Sequence, residues 1–160
     1  MKELFKQFGC DDMHRKQAIF SSIFILQNRM QTAGEKIMKE VTMKQWLMLA
    51  MTGCCPPPRT LTKVGKLMGC SRQNVKTLAR ALEEKGFIRL VQGGQNSVCI
   101  ELTEKVQEYA AEFDSRTDEA LSLFFSEFTG EEIQQMYTLY MKLYDGLEKV
   151  EEYAKGCDIE

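Results

Sequence analysis

The stretch LTKVGKLMGCSRQNVKTLAR, residues 61–80, decides how this chain folds. A helix-turn-helix demands particular residue types at particular places. The residue where the two helices cross must be small, and Gly65 stands there. The turn needs a residue that tolerates left-handed φ, and Gly69 supplies it. The wedge between the helices must be apolar, and Val64, Met68, Cys70, Val75 and Leu78 fill it. Ser71 stands where a helix N-cap belongs. The second helix then divides into two faces. Val75, Leu78, Ala79 and Leu82 form an inward stripe, while Arg72, Gln73, Lys76, Thr77 and Arg80 point outward and Asn74 lies near the helix start.

That outward face has the chemistry of a DNA reader. Arg, Gln and Asn make paired hydrogen bonds to guanine or adenine edges, and Lys and Arg neutralise phosphates. The N-terminal part of such a helix reaches the base edges. Arg72, Gln73 and Asn74 are therefore expected on bases, and Lys76 and Arg80 on phosphate. Between Arg59 and Arg89 eight basic residues face only Glu83 and Glu84, a net +6, whereas the rest of the chain carries −8. A basic middle on an acidic frame suits a polyanion. The remaining candidate contacts are Arg59, Lys63, Ser71 and Thr77 around the two helices, and Arg89, Gln95 and Asn96 just beyond them.

Working outward, the period changes after Gly86. FIRLV (87–91) and SVCIEL (97–102) are rich in β-branched and apolar residues and bracket a turn-forming loop, a β-hairpin placed as a wing. Upstream, Ile19, Ile23, Leu26, Met30, Ala33 and Ile37 recur at helical spacing from about Asp11 to Met38. Thr42 and Gln45 form a capping box for the next helix, which stops near Gly53 before the CCPPP connector (54–58). Downstream, Thr103 is expected to cap a helix running to about Phe128. Thr129 and Glu132 open the last one, with an apolar side through Ile133, Tyr140, Leu143, Tyr144, Leu147 and Val150. The fold class is mainly α with a small β-wing: a winged helix-turn-helix at 41–102, with helical dimerisation segments at 1–40 and 103–160. Long amphipathic helices outside a complete winged domain need a partner, and a second copy is the simplest.

The composition, 44% apolar and 28% charged, is that of an ordinary globular protein. No apolar run approaches the ~20 residues that span a bilayer, so no membrane partner is expected and the location is read as cytoplasmic. Of the six cysteines, Cys10, Cys54, Cys55, Cys70, Cys99 and Cys157, none forms a C-x-x-C pair, and His14 is the single histidine. No metal, cofactor or catalytic constellation is expected, and the chain is read as not an enzyme. Cys70 and Cys99 read as core. Cys10 is the candidate redox residue.

The segments VTMKQWLMLA (41–50), LTKVGKLMGCSRQNVKTLARALEEKGFI (61–88) and ELTEK (101–105) resemble, in order, the multiple-antibiotic-resistance (MarR) regulators. The resemblance implies an obligate homodimer with intertwined terminal helices. It implies binding to a palindromic double-stranded operator, usually to repress transcription, and release by a small lipophilic or phenolic effector. This chain departs from the family at the wing tip, where Gly-Gly-Gln-Asn stands in place of the usual Asp and Arg. The alternatives are a thiol-based redox sensor acting through Cys10, and a winged-helix interaction module with weak DNA binding.

Overall fold

The computed structural model describes residues 11–157, apart from the side chains of residues 95 and 113–115. Cys10, the redox candidate, lies outside the described residues, as does the side chain of Gln95. The chain divides into two compact units, residues 1–112 and 113–160.

The first unit opens with α1 (Asp12–Ile37). Asp11 caps it, accepting from the His14 amide at 2.9 Å. Gly34 is the one residue of α1 that is buried, and the Met43 side chain packs where a Cβ on Gly34 would stand. The capping box expected at α2 (Met43–Cys54) is present: the Thr42 hydroxyl accepts from the Gln45 amide at 3.3 Å, and Gln45 Oε1 accepts from the Thr42 amide at 3.1 Å. Cys54, the last residue of α2, is exposed, and Cys55, which opens the connector, is buried. Thr60 then caps α3 (Leu61–Leu67), and Ser71 caps α4 (Arg72–Glu84).

Strands β1 (Ile88–Gln92) and β2 (Val98–Leu102) pair antiparallel with Leu90 opposite Ile100. Between them a short 3-10 turn, Gly94–Asn96, ends on Asn96 at φ +56°. Asparagine tolerates this left-handed geometry better than most residues. The connector joins the sheet edge, since the Ile100 amide donates to the Arg59 carbonyl at 2.9 Å. The core of this unit is Met48, Val64, Val75, Ala79, Leu82, Phe87, Ile88 and Ile100, all buried. Thus α2, α3, α4 and the wing share one set of apolar side chains. Cys70 and Cys99 are half-buried, at the margin of this core rather than within it.

Helix α5 (Glu104–Phe124) begins in the first unit. Thr103, expected to cap it, instead spends its hydroxyl as a donor to the carbonyls of Gly86 at 2.7 Å and Phe87 at 3.0 Å. Tyr109 packs edge-on against Phe87, with ring centroids 5.3 Å apart. Burial raises the Tyr109 pKa, and the Glu40 and Glu112 carboxylates push the same way.

In the second unit α5 stops at Phe124, four residues short of the expected end near Phe128. The chain turns there because the Phe128 amide reaches back to the Phe125 carbonyl at 3.0 Å, and the Ser126 hydroxyl donates to the Leu123 carbonyl at 3.0 Å. Apolar periodicity runs on through the turn and hides it from the sequence. Helix α6 (Gly130–Cys157) follows, with the Thr129–Glu132 capping box in place. None of its residues is buried within the single chain.

Candidate nucleic-acid interface

The site is built from the turn between α3 and α4. Gly65 lies against it so closely that an added Cβ would stand 2.9 Å from the Cys70 carbonyl oxygen and 3.3 Å from Val75. Gly69 sits at φ +61°, the left-handed geometry the turn requires. The Ser71 hydroxyl accepts from the Asn74 amide at 3.3 Å and starts α4. Its role is therefore local first, holding the helix end that carries the positive pole of the peptide dipoles.

On α4, Val75, Ala79 and Leu82 are buried and Leu78 is half-buried, as the wedge demands. The opposite face is open. Arg72, Gln73, Asn74, Lys76, Thr77 and Arg80 are all exposed. Arg72, Lys76 and Arg80 recur every four residues, so their charges lie in one row along the helix. Among the described residues, no ion pair or side-chain hydrogen bond engages the side chains of Arg72, Gln73, Lys76 or Arg80. Thr77 is partly spoken for, since its hydroxyl donates to the Gln73 carbonyl at 3.2 Å.

The flanking candidates differ among themselves. Lys63 on α3 is exposed. Arg59 is half-buried, with Nε donating to the Cys55 carbonyl at 3.1 Å. Arg89 is exposed on β1 and stands opposite Glu101 in the strand register, which tempers its positive field. Asn96 is exposed at the wing tip.

Local sequence signals did not reveal the contacts that orient this face. Glu83 Oε1 accepts from the Leu90 amide at 2.7 Å, tying β1 to the end of α4. Lys85 and Lys105 reach main-chain carbonyls of other elements. Charge patterning counted Glu83 and Lys85 only as charges. A cleft of about 780 Å³ opens at the wing base, lined mainly by charged side chains: Glu83, Arg89, Glu101, Glu104, Lys105 and Glu108.

No family model and no curated protein matches the chain. Solved structures do. A MarR/EmrR family transcriptional regulator from Acinetobacter sp. ADP1 superposes with TM-score 0.72 at 19% identity, over 84% of this chain and 97% of that one. The MepR–DNA complex of S. aureus gives TM-score 0.68 at 22% identity, over 80% and 96% of the two chains.

The chain has the fold of the MarR-family transcriptional regulators.

A further structural match is the PcaV transcriptional regulator from Streptomyces coelicolor in complex with its natural ligand, with TM-score 0.61 at 17% identity over 86% of this chain and 94% of that one. The MarR fold also gives structural meaning to the resembling segments. VTMKQWLMLA enters and runs along α2, the 61–88 block runs from α3 into β1, and ELTEK carries β2 into α5. Among the described residues, no helix is long and apolar enough to cross a membrane.

Proposed function

We propose that the chain is a sequence-specific regulator of transcription that binds double-stranded DNA as a homodimer. The observation that carries this reading is the row of exposed, internally unpaired polar side chains on α4, directly after a well-formed cap and turn. Arg72, Gln73 and Asn74 sit at the end of α4 that would enter the major groove and are assigned to base edges. Lys76, Arg80 and Lys63 are assigned to phosphate. Arg59, Ser71 and Thr77, already engaged with their own chain, are assigned supporting contacts to the backbone. Arg89, Gln95 and Asn96 are assigned to the wing's contact beside the recognised groove. Without an arginine at its tip, the wing draws little on the negative potential of a narrow minor groove.

The dimer is supported by apolar surface that one chain leaves bare. Ile133, Tyr137, Tyr140, Tyr144, Leu147 and Val150 are exposed along α6, and Ile19, Phe20, Phe24 and Met30 along α1. Leaving such a stripe in water forgoes roughly 25 cal/mol for each Å² that could be buried. Residues 1–40 and 103–160 are accordingly assigned to dimerisation and 41–102 to DNA binding. A two-fold pair would present its recognition helices about 34 Å apart, one turn of the duplex, to a palindromic operator. Repression with release by a small effector extends the same reading, and the S. coelicolor neighbour was solved with its natural ligand. The charged wing-base cleft is a poor seat for a lipophilic or phenolic effector, which would bind elsewhere.

The test is binding of a random-sequence duplex by the full chain at several salt concentrations. Counterion release predicts that log affinity falls with log salt by several units. Arg72→Ala is expected to weaken specific binding by ~1–3 kcal/mol.

A further inference from the structure

Lys85 belongs by charge to the basic stretch, but its ammonium is engaged with its own chain, unlike the charged groups of Lys76 and Arg80. Lys85 Nζ donates to the Glu40 carbonyl at 2.7 Å and to Gln45 Oε1 at 2.9 Å. Gln45 is buried, and the same oxygen accepts from the Thr42 amide at the start of α2. The Glu40 carboxylate in turn holds Lys105 Nζ at 2.9 Å. Lys105 closes the circuit: its ammonium donates to the Lys85 carbonyl at 3.1 Å and stands 4.5 Å from the centre of the Phe87 ring. The next two carbonyls, of Gly86 and Phe87, are taken by Thr103. Three segments far apart in sequence therefore meet at Lys85, the residue that follows α4. They are the linker between α1 and α2, the turn after α4, and the first turn of α5.

We propose that Lys85 and Lys105 are positioning residues that close, through Glu40, a lock fixing the pitch at which α4 is presented to DNA, and that Lys85 contacts no phosphate. This rests on the DNA-binding reading above. An ammonium already bonded to two oxygens of its own chain must break those bonds to reach a phosphate. Ion pairs this open to water add little to stability, so the lock acts through geometry more than through folding free energy. The helix is held at its C-terminal end, while its N-terminal end carries the base-reading residues. A small rotation about the held end therefore displaces Arg72 and Gln73 the most.

The experiment uses the full chain with Lys85→Met, which keeps the aliphatic stem, beside Lys76→Ala as the phosphate comparator. Two DNA probes are needed, a random-sequence duplex and the best-enriched oligonucleotide from a random pool. Lys76→Ala is expected to lower the salt slope by about 1. Lys85→Met is expected to leave the slope and the random-duplex affinity unchanged, and to weaken the enriched site by about tenfold, the scale of one misaligned base contact. Amide hydrogen exchange without DNA supplies a second readout. The amides of Lys85, Gly86 and Phe87 should exchange faster in Lys85→Met and in Lys105→Met, at nearly unchanged melting temperature. A slope reduced by about 1, with equal loss on both DNAs, would assign Lys85 to phosphate and overturn the proposal. Unaccelerated exchange in both variants would overturn it too. Should the parent chain bind neither DNA, the regulator reading falls by itself, and the exchange rates still decide whether the lock exists.

Discussion

The carbonyl of Gly65 accepts a 2.8 Å hydrogen bond from the Cys70 amide, while a Cβ placed on Gly65 would lie 2.9 Å from the Cys70 carbonyl oxygen. Both contacts are to main chain, so neither can be relieved by a side chain swinging away. Gly65→Ala is therefore expected to cost ~1–3 kcal/mol by overpacking. Gly69 differs. A Cβ there meets nothing within 4 Å, and only its φ of +61° is strained. Gly69→Ala is expected to cost ~1–2 kcal/mol, and Gly69→Asn less. Urea melts of the three variants check the order. A neutral Gly65→Ala would contradict the described crossing of α3 and α4.

Leu82 is fully buried beneath α4 in the core that also holds Phe87 and Ile100. Leu82→Ala is expected to destabilise the first unit by ~2–5 kcal/mol. The denaturant midpoint should fall with little change in slope, because the exposed area on unfolding is nearly the same. Retained stability would mean that α4 does not share its core with the wing.

These two cases also show what could be read in the chain beforehand. Gly65, Gly69 and Ser71 announce themselves because a close crossing, a left-handed turn and a cap each need a particular residue type at one position. The Thr42–Gln45 and Thr129–Glu132 boxes were legible for the same reason: each is closed within three residues. The polar face of α4 followed from helical periodicity alone. The Lys85–Glu40 contact spans 45 residues and that of Lys105 with Lys85 spans 20. Nothing in local composition separates such a lysine from one turned to solvent. A threonine before a helix has two possible employments, and at Thr103 the nearby carbonyls of Gly86 and Phe87 take its hydroxyl. The end of α5 is hidden from the sequence because Phe125 and Phe128 continue the apolar spacing across a turn stitched by main-chain bonds.

The Thr129 amide and hydroxyl both donate to Glu132 Oε2, at 2.8 and 3.0 Å. The backbone bond, followed by that of the hydroxyl, holds the Glu132 carboxyl below its ordinary pKa. With the folded pKa below the unfolded one, the stabilisation is in place above about pH 4.3 and fades as pH falls through the folded value. Glu132→Gln should therefore differ most from the parent chain near neutrality, and the gap should close on acidification. Melting temperatures of both chains across that range check this. A gap independent of pH would remove the carboxylate from the cap.

Leu147 and Tyr140 lie exposed on the same stripe of α6. If that stripe is the contact with a second copy, Leu147→Arg should shift sedimentation from dimer mass towards monomer mass and weaken operator binding, while leaving the far-UV helical signal of the monomer. A parent chain that sediments as a monomer at micromolar concentration would contradict the assignment.

The proposed recognition requires α4 to enter the major groove in two-fold pairs, and selection of bound duplexes from a random pool by the full chain tests that most directly. The expected outcome is enrichment of an inverted repeat whose half-site centres lie about 10 bp apart, with Arg72→Ala relaxing the preference at particular positions within each half. Enrichment of no sequence at low salt, or of a single unrepeated site untouched by Arg72→Ala, would contradict it.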